Sequence, residues 1–177
     1  MALDLPPRAR ERFVEWRSRA IGDRDDLRLV SERSLHVTLA FIGRRPERDI
    51  EPIADALSTA LAGLAPPRLS ATKAVGIPRR RPRLFALDLD DRGGRASAVQ
   101  AAVASALTAP GWYEPEKRPF WPHITFARVT KNARNAPAVD YPPPPPAPFT
   151  ATRVTLYRSH LSPRGARYEA LTQTRLR

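Results

Sequence analysis

Leu35-His36-Val37-Thr38-Leu39-Ala40-Phe41 decides how this chain folds, because a near copy recurs at His123-Ile124-Thr125-Phe126-Ala127-Arg128. Each copy runs histidine, apolar, threonine, apolar. Residues two apart on a β-strand point to the same face. His36 therefore shares a face with Thr38, and His123 with Thr125. Val37 and Leu39, like Ile124 and Phe126, take the opposite face and suit a core. The pattern predicts two strands that meet across one cleft, each presenting an imidazole and a hydroxyl.

Outward from the motifs, strand and helix signals alternate. Residues 2–5 form a short strand. Pro6-Pro7 opens a helix, where proline is tolerated, and Ala9, Phe13, Trp16 and Ala20 continue it to Gly22-Asp23. Residues 27–30 suggest a short strand, and 34–42 hold the first motif strand. Helices are expected over 47–64 and 96–107 from their apolar spacing and alanine content. Residues 69–77 and 84–89 are strands, and the second motif strand runs from His123 to about Thr130. Residues 136–148 include five successive prolines at 142–146 and predict an extended connector over the surface. A strand over 149–161, a turn over 162–165 and a last strand over 166–171 complete the chain. This order predicts an α+β fold with two antiparallel sheet-plus-helix lobes around a central cleft. Residues 1–177 are expected to form one unit. Beyond the motif the two halves are read as showing no obvious identity.

Composition limits the partners. The chain carries a formal charge of +12, which favours a polyanion, with RNA or DNA first. Of its 30 lysines and arginines only Lys73, Lys117 and Lys131 are lysine, a skew that GC-rich coding also produces. Pro78-Arg79-Arg80-Arg81-Pro82-Arg83 is either a solvated hairpin turn or a phosphate-contacting loop at the cleft rim. The absence of cysteine excludes disulfides, cysteine zinc sites and a cysteine nucleophile. The start lacks a basic segment followed by a long apolar run, so no signal peptide is expected. Nor does any apolar run approach a membrane span. A soluble, cytoplasmic protein without a membrane partner is expected.

Two histidines facing one centre suit proton transfer near neutrality, since the unperturbed imidazole pKa is about 6.5. One removes a proton from water while the other protonates a leaving oxygen. A phosphodiester matches this division because its attacking and leaving oxygens lie roughly in line through phosphorus. Thr38 and Thr125 are then hydroxyl donors to the non-bridging oxygens. Arg128 lies two residues beyond Phe126, so a regular strand turns it toward the core and only a bulge would bring it to phosphate. Phe41, Phe120 and Trp121 are candidate base-stacking rings, or else core and loop anchors. His160 is an ordinary surface or strand-end histidine. A metal site using His36, His123 and His160 lacks acidic partners at ligand spacing. Neither a Gly-x-Ser-x-Gly elbow nor a phosphate-binding Walker loop occurs.

Residues 34–43 and 118–128 together resemble the 2H phosphoesterase superfamily, named for two His-x-Thr/Ser-x motifs. The chain is most similar to its RNA 2′,3′-cyclic phosphodiesterases, formerly called 2′-5′ RNA ligases. Weaker likenesses lie at Ala2-Leu3-Asp4-Leu5-Pro6, Leu156-Tyr157-Arg158-Ser159 and Tyr168-Glu169. The resemblance implies a bilobal fold with a pseudo-twofold axis, and hydrolysis of a terminal RNA 2′,3′-cyclic phosphate to a 2′-phosphate. By the same resemblance His36 protonates the leaving 3′ oxygen and His123 activates water. Thr38 and Thr125 bind phosphate oxygens; Arg128 and Phe41 are added as substrate-contact candidates from their places near the motifs, not from the resemblance. No metal or cofactor is implied, and a monomer is expected. Alternatives are a small cyclic or 2′-5′-linked nucleotide as substrate, 2′-5′ RNA ligation, or binding of RNA ends without turnover. Family members usually have several more residues in the first strand, including an aromatic, so here either that strand is short or the start codon is misplaced.

Overall fold

The computed structural model describes residues 1–130, 133, 141–162 and 165–177. Its strands are β1 (Ala2–Asp4), β2 (Leu27–Leu29), β3 (His36–Thr38), β4 (Arg68–Ile77), β5 (Leu84–Asp90), β6 (His123–Val129), β7 (Phe149–Thr150), β8 (Arg153–Ser162) and β9 (Gly165–Arg175). The helices are α1 (Pro7–Ile21), α2 (Ile50–Ala60) and α3 (Arg95–Thr108). The alternation in the two motifs sorts their side chains as expected. Val37 and Ile124 are fully buried, and Phe126 nearly so.

Among the described residues all pairings are antiparallel, in the order β7-β4-β5-β6-β3-β1-β8-β9, with β2 lying against the outer end of β6. The two motif strands are thus central neighbours. Around them the register repeats. Ala2, Leu3 and Asp4 of β1 pair with Thr38, Val37 and His36, while Ala86, Leu87 and Asp88 of β5 pair with Thr125, Ile124 and His123. The two flanking segments share the sequence Ala-Leu-Asp-Leu, at 2–5 and 86–89, with nearly the offset that separates the histidines. The halves therefore share more than the histidine motif, contrary to the sequence expectation. The short Ala-Leu-Asp-Leu match gains meaning only when both copies are seen beside a motif strand.

Helices cover the back of the sheet. Trp16 of α1 meets Phe126 edge-on at 5.3 Å, and Phe13 meets Phe149 at 5.8 Å. Each such pair adds about 0.5–1.5 kcal/mol beyond its area burial. Ile53 and Leu57 of α2 and Val99, Val103 and Leu107 of α3 are buried, with α2 against β9 and α3. The Asp91 carboxylate accepts the backbone N–H groups of Ala96 (3.1 Å) and Ser97 (2.9 Å), satisfying donors at the start of α3.

Several boundaries differ from the sequence expectations. The first motif strand is only His36–Thr38, because the N–H groups of Leu39 and Ala40 both turn to the Met1 carbonyl. The expected helix over 47–64 begins with a 3₁₀ turn at Glu47–Asp49, and α2 ends at Ala60. The expected strand over 149–161 is two strands. Ala151 donates its N–H to Pro67, so β7 stays with β4 while β8 joins β1 and β9. Tyr141 is buried against Phe85 (5.3 Å) and Phe126 (5.6 Å), and Trp16 Nε1 donates to the Pro142 carbonyl at 3.2 Å. The prolines at 142–146 thereby lie along α1 as an anchored connector. Residues 136–140 of that segment, and 163–164 of the expected turn, lie outside the described residues.

Candidate active site

β3 and β6 pair through Val37 and Ile124. An antiparallel register through that pair sets His36 opposite Thr125 and Thr38 opposite His123, all on the face away from the helices. Directly opposed side chains have Cβ atoms about 4.5–5.5 Å apart, and diagonal ones about 7–8 Å. The two imidazoles occupy one diagonal, leaving space for a tetrahedral group between them. His36, Thr38, Thr125 and Arg128 line a cleft of about 180 Å³, with Arg28 and Tyr168 at its sides, while His123 stands on the same sheet face outside that lining.

Arg128 reaches this cleft through a bulge. Phe85 pairs with Ala127 and Ala86 with Thr125, so Phe126 is an extra residue on β6. One extra residue inverts the alternation beyond it. Arg128 consequently joins Thr125 on the cleft face, whereas an unbulged strand would turn it inward. Phe41 is not brought to the cleft. It is 77% exposed and lines a separate groove with Ile53 and Leu161, because the chain leaves the sheet after Thr38. Phe120 packs partly buried against the core. His160 pairs across the β8–β9 hairpin with Glu169 at 2.8 Å. Among the described residues no three His, Asp or Glu side chains are grouped to hold a metal ion.

The two histidines are held differently. His123 Nδ1 lies 2.8 Å from the Trp121 carbonyl. A carbonyl only accepts, so Nδ1 carries the proton and Nε2 of the neutral ring keeps a lone pair. The His36 pKa is pushed down to about 4. Burial is the main cause, followed by the amino-terminal charge, with His123 and Arg128 adding smaller repulsions against a hydrogen bond to the Ser34 backbone. Burial, with smaller help from the Arg128 charge, thus favours the neutral form of His36 in this cleft.

Sequence reasoning named Trp121 only as a possible base-stacking ring and gave no role to Tyr157, Tyr168, Asp4 or Asp88. Tyr157 stacks on His36 with centroids 6.0 Å apart, and Tyr168 meets it edge-on at 4.9 Å. Trp121 stacks on His123 at 4.2 Å and 13°. Tyr157 donates its hydroxyl to Asp4 at 2.8 Å, and its pKa is raised to about 12 by burial first and that hydrogen bond second. Trp121 Nε1 donates to Asp88 at 2.6 Å. The Ala-Leu-Asp-Leu repeat was the available signal, since it carries both aspartates.

With the cleft in view, comparison with known proteins becomes informative. The 2′-5′ RNA ligase superfamily matches residues 5–163. The chain belongs to this superfamily. A protein named RNA 2′,3′-cyclic phosphodiesterase from Thermus thermophilus is 32% identical, covering 99% of this chain and 88% of its own. One of the same name from Escherichia coli is 28% identical, covering 96% and 91%. The crystal structure of Escherichia coli LigT with 3′-AMP superimposes with a TM-score of 0.82 at 26% identity, covering 99% and 95%. The fold is accordingly the α+β, curled antiparallel sheet of the 2H phosphoesterases. Among the described residues no helix is long and apolar enough to cross a membrane.

Proposed function

We propose that this chain hydrolyses the 2′,3′-cyclic phosphate at an RNA end to a 2′-phosphate, by proton transfer between two histidines without a metal. Support comes from the Val37–Ile124 register, which sets two His-x-Thr pairs on one face, and from the relatives' printed names. His123 takes a proton from water through Nε2 as the water oxygen attacks phosphorus. The P–O3′ bond breaks, and His36 delivers its proton to the leaving O3′. Thr38, Thr125 and Arg128 hold the non-bridging oxygens, where negative charge builds. The histidines end the turnover with exchanged protonation states and are reset by solvent. Residues 1–177 act as one unit in this scheme, because the two histidines lie on strands from different halves.

A polymer end suits the site better than a free cyclic nucleotide. The exposed arginines at 79–81 leave the β4–β5 turn beside the outer end of β6, where they can meet phosphates upstream of the end. There Leu84 pairs with Arg128, and the N–H of Val129 bonds to the Arg83 carbonyl. The deciding experiment incubates a short RNA bearing a 2′,3′-cyclic phosphate and separates the products against 2′- and 3′-phosphate standards. The expected product has gained one water and runs with the 2′ standard. A 3′-phosphate, or binding with no product, refutes the proposal.

A further inference from the structure

Asp4 and Asp88 stand at equivalent places beside the two motif strands, and their carboxylates accept hydrogen bonds from groups other than the histidines. Each pairs in register with one, Asp4 with His36 and Asp88 with His123. Each carboxylate is used in the same way. Asp4 Oδ1 accepts Tyr157 OH at 2.8 Å and Oδ2 accepts Thr155 Oγ1 at 2.8 Å. Asp88 Oδ1 accepts Trp121 Nε1 at 2.6 Å and Oδ2 accepts Thr72 Oγ1 at 3.0 Å. A basic residue adjoins both, with Arg153 Nε 3.9 Å from Asp4 and Lys73 paired with Asp88 in the sheet.

The aromatic rings come from unrelated places. Trp121 precedes His123 in the chain, whereas Tyr157 reaches His36 from β8, two strands away. Simple inheritance from a duplicated segment would have supplied both rings from the same position. The repeated outcome is instead a planar ring, fixed at its polar edge by an aspartate and stacked on the motif imidazole. A planar ring so fixed denies the imidazole rotation about its Cβ–Cγ bond.

We propose that Asp4 and Asp88 are positioning residues, each anchoring an aromatic ring that holds one motif histidine in its working orientation. The role in turnover rests on the two-histidine phosphodiesterase reading above. Trp121 binds its histidine more closely than Tyr157 does, at 4.2 Å against 6.0 Å, so the His123 side is the more sensitive. Misplacement of a reacting group by about 1 Å can cost on the order of 100-fold in rate, and loosening without displacement is expected to cost about tenfold.

The test compares Trp121→Phe, Asp88→Ala, Asp88→Asn and the double variant Trp121→Phe/Asp88→Ala, with Tyr157→Phe as the counterpart near His36. Turnover of a short RNA ending in a 2′,3′-cyclic phosphate gives kcat and KM, and side-chain nitrogen NMR of the ligand-free protein gives the His123 tautomer. Trp121→Phe and Asp88→Ala should each lower kcat about tenfold with KM unchanged, and the double variant should lose no more than either. Asp88→Asn keeps an acceptor oxygen and should recover most of the loss. In Trp121→Phe the His123 signals should change from one Nδ1-protonated form to a mixture. Wild-type kcat in both single variants, or losses that multiply in the double, would overturn the proposal. If Asp88→Ala does not fold, Trp121→Phe and the NMR comparison decide alone. An inactive wild-type protein whose His123 tautomer still depends on Trp121 would remove the proposed reaction and leave the positioning role standing. An unchanged tautomer would remove the positioning role.

Discussion

An anion in the cleft should return to His36 the proton that the empty site withholds. Its pKa in the free protein is about 4, against an ordinary value near 6.5. One negative charge about 4 Å from the imidazolium, at an effective dielectric constant of about 20, contributes about 4 kcal/mol, or roughly three pH units. The group would then titrate near 7, and a neutral histidine would become an acid as ligand binds. Nitrogen-correlated NMR of the three histidine side chains follows this directly, with His36→Gln and His123→Gln providing assignments. Sulfate is the suitable anion because it does not itself titrate in this range. Without sulfate the His36 signals should move near pH 4, and with saturating sulfate near pH 7. The same depressed value makes the fold favour neutral His36. That contribution, up to about 3 kcal/mol, is full above pH 6.5 and is lost as pH falls toward 4. A His36 that titrates near 6.5 when free, or stays near 4 with sulfate bound, would refute this account of the acid.

Other outcomes follow from the same geometry. His123→Ala and His36→Ala should each lower turnover about 10²- to 10⁴-fold, with circular dichroism unchanged. Arg79→Ala/Arg81→Ala should weaken a long RNA more than a cyclic mononucleotide. If both arginines contact phosphates, the slope of log affinity against log salt should become shallower by about 1.4. Excess chelator should leave the initial rate of hydrolysis unchanged, and a rate restored only by added divalent cation would contradict the proposed mechanism.

The paired His-x-Thr motifs were legible because period-two alternation is local. His36, Thr38 and their buried neighbours sort themselves without knowledge of the partner strand, and a second copy makes coincidence implausible. Arg128 was not legible. Its direction depends on Phe126 being surplus in the pairing with β5, a property of two strands together. The split at Ala151 likewise depends on where one N–H finds a carbonyl, here Pro67, far away in sequence. Trp121 was noticed only as an aromatic near a motif. Its role needs Asp88, which meets it only once β5 and β6 are paired. Asp4 and Asp88 lay within a visible repeat, and their importance emerges from hydrogen bonds that four-residue similarity does not reveal.

The nested strand order bears on how the chain is made. The half holding His123 draws β4, β5, β6 and β7 from the middle of the chain, whereas the half holding His36 joins β1 and β3 to β8 and β9. Synthesis from the N-terminus makes every strand of the His123 half before β8 and β9. Until they emerge, β1 has a bare edge, Leu3 lacks its β8 neighbour, and Asp4 lacks Thr155 and Tyr157. At about 5–20 residues per second that interval lasts a second or more. The His36 side of the cleft is therefore finished after the His123 side, by strands made well after its own histidine.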